Sequence, residues 1–304
     1  MSLKKLVVTT IIGLFSGTLW AQDFYKAIQE HMDDLQQIRS ATARDTKSLK
    51  CINRYNNLMK DGTLNIVVAF GYSDFVPNTP VYDWYMTKGL KRALMEPCRQ
   101  GLNACEFKQS KNDPNKLFKM IEDLDGKMKK VELVLIQGAL TGHHPTNISP
   151  INLARQMALC QSVTARFYDE IKKGSEIVYY SGHSRDGGGP DFCPPITRAD
   201  GHVDYNWYHA HKPGLKILLG ALKNTVKAPQ VLALHSCSSL SHFSKAVSAA
   251  SPGTALMGYR KTVGMTPDFK NMFGGLDALL SFRCQKGLSE SMNVDIPTDV
   301  IGVF

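Results

Sequence analysis

From residue 22 to residue 60 the apolar positions recur at three- and four-residue steps. Phe24, Ile28, Met32, Leu35 and Ile38 form one series, and Leu49, Ile52, Tyr55 and Leu58 form a second. Polar residues fill the other faces, the pattern of two amphipathic helices packed on a larger body. The series stop too soon for an autonomous coiled coil. Beyond Gly62 the pattern changes to apolar runs of strand length: LNIVVAF (64–70), ACEFKQS (104–110), VELVLIQGAL (131–140), EIVYYS (176–181), VLALHS (231–236) and TALMGY (254–259). Between them lie segments of helical period, among them TKGLKRALMEPC, NKLFKMIEDLDGK, INLARQMALCQSVTARFYDEIKK, KILLGALKNT and HFSKAVSAA. Runs rich in Val, Ile and Leu alternating with helices predict an α/β fold with a mainly parallel central sheet covered on both faces, preceded by an N-terminal helical segment. In that architecture the functional side chains gather at the carboxyl ends of the strands. Residues 184–213, rich in Gly, Pro and His, show no clear period and read as a long functional or mobile loop.

The amino end adds a compartment. Lys4 and Lys5 precede a short apolar stretch and then a small residue at Ala21, the layout of a secretory signal peptide cleaved after Ala21. A short membrane anchor is the competing reading. The expected organisation is a leader over 1–21, a helical segment over 22–60 and an α/β domain over 61–304. No stable membrane span is expected after leader removal, and the destination is periplasmic or secreted. The formal net charge of +9 falls by two to +7 when Lys4 and Lys5 leave, and the remaining basic residues are scattered. Such scatter indicates a solvated basic surface and argues against nucleic acid as a partner.

Seven cysteines occur, at 51, 98, 105, 160, 193, 237 and 284. In an exported chain most pair as disulfides, and an odd count leaves at least one free thiol or an intermolecular bridge. Cys98 and Cys105 are near enough in sequence to close a small loop. The leftover thiol is a candidate nucleophile.

Two strand ends concentrate the candidate chemistry. EIVYYSG delivers His183, and VLALHS delivers Cys237, 54 residues later. A thiol needs a base or a lowered pKa to become a good nucleophile, and an imidazole is the usual partner. Ser184 competes, because GHSRD is one residue away from the G-x-S-x-G elbow of serine hydrolases. An elbow needs a helix directly after the serine, whereas GGGPDFCPP stands there instead, so a serine hydrolase using Ser184 is the weaker reading.

A strand ending in Ser-Gly-His-Ser with a glycine-rich loop behind it, then a strand ending in a Cys flanked by small residues, resembles the caspase-like (clan CD) cysteine peptidases. The resemblance covers roughly residues 63–260, and its specific part is YYSGHS and LHSCSS. It implies a divergent, exported, bacterial-type member with a caspase-like three-layer α/β/α sandwich. His183 would be the base and Cys237 the nucleophile, and the backbone N–H groups of Ser184 and Cys237 would form the oxyanion hole. The implied activity is peptide-bond cleavage through a covalent thioacyl intermediate, with a peptide or protein as substrate and no cofactor. The alternative is a catalytically silent caspase-like domain that binds a partner in the same groove, to which Ser184 and Ser239 point.

Other residues near these motifs carry weaker expectations. Asp186 and Asp191 either line a substrate pocket, orient His183 or serve loop hydrogen bonds. His235, two residues before Cys237, shares its strand face and is a second base, a pocket wall or a satisfied core histidine. The His143-His144 pair closes another strand and competes as a base. His183, His202, His209, His211 and Cys193 fall in one loop region, but there is no Cys-x-x-Cys, His-Glu-x-x-His or calcium-loop pattern, so no metal site is expected.

Overall fold

The computed structural model describes residues 22–38, 48–73, 81–99, 101–293 and 298–301. The expected leader lies outside these residues. After two helices, α1 (22–38) and α2 (Leu49–Leu58), come β1 (Thr63–Phe70), α3 (Tyr82–Met95), β2 (Lys108–Gln109), β3 (Lys116–Glu122) and β4 (Met128–Gln137). Next are α4 (His144–Asn147), α5 (Leu153–Lys172), β5 (Ile177–Ser181), a 3-10 turn (Arg185–Gly187), α6 (Tyr205–His211) and α7 (Pro213–Lys223). The chain continues through β6 (Val231–His235), α8 (Ser239–Ala250), β7 (Ala255–Gly258), α9 (Met265–Leu280), α10 (Gln285–Met292) and β8 (Asp299–Ile301).

The strands form a single sheet in the order β2-β3-β4-β1-β5-β6-β7-β8. The central five, β4 to β7, pair in parallel, and the edge pairings β2–β3, β3–β4 and β7–β8 are antiparallel. Successive side chains of a strand point to opposite faces, and both faces are apolar here. Ile66, Val68, Tyr179, Ala233 and Met257 enter one layer with α1, α2, α3, α9 and α10. Val67, Ala69, Tyr180, Leu234 and Leu256 enter the other, with α5, α7 and α8. The result is a three-layer α/β/α arrangement around a mostly parallel sheet.

The two N-terminal helices belong to the first of these layers. Phe24, Ile28, Met32 and Leu35 of α1 are buried there beside Phe269 and Met272 of α9. Burying side chains of that size stabilises by about 1.5–3 kcal/mol each. Cys51 of α2 forms a disulfide with Cys284, 233 residues away, which ties α2 to the start of α10. Disulfides also join Cys98 to Cys105 and Cys160 to Cys193, leaving Cys237 as the free thiol. Three such bonds fit an extracellular or periplasmic location, where oxidising conditions preserve them. Among the described residues no helix is long and apolar enough to cross a membrane.

Three segments differ from the sequence reading. NKLFKMIEDLDGK is not a helix: its first part is β3, and Asp123–Lys127 turn it into β4 as a hairpin. The Asp123 carboxylate accepts the amides of Asp125 and Lys127, and Gly126 takes φ +78°. That turn chemistry outweighs the helical spacing of Leu117 and Ile121. ACEFKQS contributes only the two residues of β2, because the Cys98–Cys105 loop holds its first half off the sheet edge. The supposed loop 184–213 contains α6, capped by the Asp204 side chain on the Trp207 amide.

Candidate functional site

β5 and β6 lie side by side in parallel, with Ser181 opposite His235 as the last pair. The Gly182 amide donates to the His235 carbonyl at 3.1 Å, which extends the ladder one rung past the strands. His183 and Cys237 come directly after, so both candidate residues leave the same edge from adjacent strands. Both are half-buried.

Beyond the two strand ends the chain takes different courses. After Cys237 it makes a strand–turn–helix: Ser238 adopts φ +52° and caps α8. Ser236 donates its amide to Leu234, so the strand alternation stops at His235 and Cys237 sits in the turn, off the strand face expected for it. The Cys237 Sγ lies 3.7 Å from the carbonyl oxygen of Val263, just before α9. After Ser184, by contrast, comes the 3-10 turn in which Arg185, Asp186 and Gly187 all have positive φ. Ser184 is buried and its carbonyl accepts the amides of Gly187 and Gly189. The sharp strand-to-helix turn that an elbow needs therefore belongs to Cys237. Neither the Ser184 nor the Cys237 backbone N–H is bonded to a backbone acceptor among the described residues.

His183 is held from the side of α5, α7 and α8. The Tyr180 hydroxyl is within donating reach of the His183 carbonyl (3.0 Å) and the Asp191 carbonyl (3.2 Å), and it accepts the Asp191 amide at 3.0 Å. Burial pushes that phenol far above its ordinary pKa, so it remains a donor. Gly182 is required beside it, because a Cβ there would stand 2.7 Å from the Tyr180 hydroxyl. Burial pushes the His183 imidazole below its ordinary pKa, with the Asp191 carboxylate opposing in part, which favours the neutral, proton-accepting ring.

The two acidic residues take separate places. Asp191 Oδ2 accepts from Arg185 Nε (3.3 Å) and from the Tyr208 hydroxyl (3.0 Å), while Oδ1 accepts the Cys193 amide. Arg185 is 1% exposed, so Asp191 supplies the countercharge that a buried guanidinium needs. Asp186 is exposed and pairs with His209 of α6 at 3.0 Å, with His242 of α8 at 3.9 Å. It links the turn after His183 to the helix after Cys237.

His235 is wholly buried, edge-on to the rings of Tyr179 and Tyr259. Its Nδ1 lies 3.2 Å from Asp268 Oδ1. His144 is also buried, with Nδ1 2.6 Å from the Tyr72 hydroxyl, and burial followed by the His143 charge lowers its pKa. His143 is exposed and bonded to Thr146. His211 stacks on Trp207. Among the described residues no group of three or more His, Cys, Asp or Glu is placed to hold a metal ion.

Two acidic residues have no counterpart in the sequence reading. Asp83, in the first turn of α3, sits 2% exposed at the carboxyl ends of β1 and β4, where it accepts the Gly138 amide at 3.1 Å. Burial raises its pKa to about 7 against the opposing pull of amides at Ala139, Ser73 and Gly138. Asp268, in the first turn of α9, accepts from Ser181 and Tyr259. Both sit in segments the periodicity left unassigned. Comparison of the chain with protein-family models, curated proteins and solved structures gives no match.

Proposed function

We propose that the protein is an exported cysteine endopeptidase of caspase-like fold that uses His183 as base and Cys237 as nucleophile. One observation carries the reading: six of the seven cysteines are paired, and the remaining thiol stands at a strand-to-helix turn on the strand adjacent to the one that ends in His183. In this reading the neutral imidazole takes the thiol proton and the thiolate adds to the peptide carbonyl. The Ser184 and Cys237 amides stabilise the oxyanion, a contribution of about 3 kcal/mol per donor. His183 then protonates the leaving amine, and water hydrolyses the thioester to regenerate the thiol. No step calls on a cofactor.

The test is cleavage of a proteome-derived peptide library, with new termini identified by mass spectrometry, by wild type and by Cys237→Ala. Cleavage by wild type that disappears in the variant supports the proposal. Cleavage that persists in the variant overturns it, and no cleavage by either points to the silent binding domain.

A further inference from the structure

The ends of β5, β6 and β7 present three polar side chains in a row. Ser181 and His235 are a register pair, and Tyr259 comes one residue beyond the Leu234–Gly258 pair. Each falls on the same side as the apolar residues two positions earlier, Tyr179, Ala233 and Met257, which enter the layer containing α9. There they meet a single carboxylate. Asp268 Oδ2 accepts from the Ser181 hydroxyl at 2.5 Å, and Oδ1 accepts from the Tyr259 hydroxyl at 2.9 Å with His235 Nδ1 3.2 Å away. All four side chains are buried. Burial and the neighbouring Asp268 carboxylate hold the Tyr259 phenol far above its ordinary pKa, so it remains the donor.

We infer that Asp268 is a positioning residue for the His183/Cys237 pair. It acts through the strand ends that carry them. Ser181 is two residues before His183, and His235 is two before Cys237. Tyr259 begins the segment that ends at Val263, whose carbonyl faces the Cys237 thiol. The same first turn of α9 is fastened back by the Asp268 amide on the Gly264 carbonyl at 3.0 Å. Asp268 therefore joins three strand ends through its carboxylate to the start of the helix behind the thiol. A buried carboxylate with several donors holds its partners firmly, because releasing any of them leaves a polar group unsatisfied.

The inference rests on the proposed peptidase reading, and two readouts in Asp268→Asn separate them. The first is hydrogen exchange of the Gly182 amide, whose bond to the His235 carbonyl spans the two strand ends. The second is the rate of Cys237 alkylation by iodoacetamide as a function of pH, measured on protein shown by circular dichroism to be folded. Asn keeps the shape but replaces one acceptor with a donor. The expected result is Gly182 exchange faster by about tenfold and alkylation below pH 7 slower by about tenfold, the size of one lost bond to a charged group. A purely structural role would lower the melting temperature and leave the alkylation profile of the folded protein unchanged. If Asp268→Asn does not fold, Ser181→Ala and Tyr259→Phe remove one donor each and are expected to move both readouts in the same direction. Folded variants that leave both readouts at wild-type values overturn the inference. Should wild type itself lack fast alkylation at low pH, the dyad reading fails, and Gly182 exchange alone decides whether Asp268 fixes the strand ends.

Discussion

Ser181 and His235 face one another as the final pair of two adjacent parallel strands, and each lies two residues before a candidate catalytic residue. The separation of His183 and Cys237 is therefore set by backbone pairing in the sheet, with side-chain clamps on both faces. Tyr180 acts from the layer of α5, α7 and α8, and Asp268 acts from the layer of α9.

Removing the first clamp has a defined cost. Tyr180→Phe deletes the hydroxyl that reaches the His183 carbonyl and accepts the Asp191 amide. The partly buried Asp191 amide loses its partner, for which a loss of about 1 kcal/mol of stability is expected. Thermal or urea denaturation measures the loss. On the proposed peptidase reading, peptide cleavage should also slow, through kcat more than through KM, because the hydroxyl reaches the backbone of the base.

Asp83 makes stability pH-dependent. Its folded pKa of about 7 lies above the unfolded value of about 4, so the native state holds the proton more tightly. Its contribution is fully present below about pH 4 and is lost as pH rises through about 7, a change on the order of 4 kcal/mol for this group. Asp83→Asn cannot ionise, so the unfolding free energy of the variant relative to wild type should improve from about pH 4 to about pH 7 and level off above that. A difference independent of pH would contradict this assignment.

The long-range disulfide stabilises by restricting the unfolded chain. Cys51 and Cys284 enclose 233 residues of sequence separation, for which the chain-entropy relation gives about 5 kcal/mol. The double variant Cys51→Ala/Cys284→Ala should lose stability of that order in chemical denaturation. Opening the Cys98–Cys105 loop, with a separation of only 7, should cost less.

The central strands were legible because both of their faces are buried: LNIVVAF, EIVYYS and VLALHS are almost continuous apolar runs bounded by turn residues. The strand-end rule then led to His183 and Cys237 without knowledge of strand order. The β3–β4 hairpin was hidden because Leu117 and Ile121 mimic helical spacing, and only Asp123 and Gly126 marked the turn. Asp83 and Asp268 were beyond reach for a different reason. Their meaning lies in partners 55 and 87 residues away, Gly138 and Ser181, which only the packed layers bring together. His235 shows the limit of strand alternation, since the turn at Ser236 separates it from Cys237 within two residues.

Activation of Cys237 by His183 is tested most directly by the pH dependence of Cys237 alkylation by iodoacetamide in wild type and in His183→Ala, with a small model thiol alongside. The expected result is that wild type reacts about tenfold or more faster than the model thiol below pH 8, and that His183→Ala falls back to the model rate. Wild-type reactivity equal to the model thiol and unchanged in His183→Ala would contradict it.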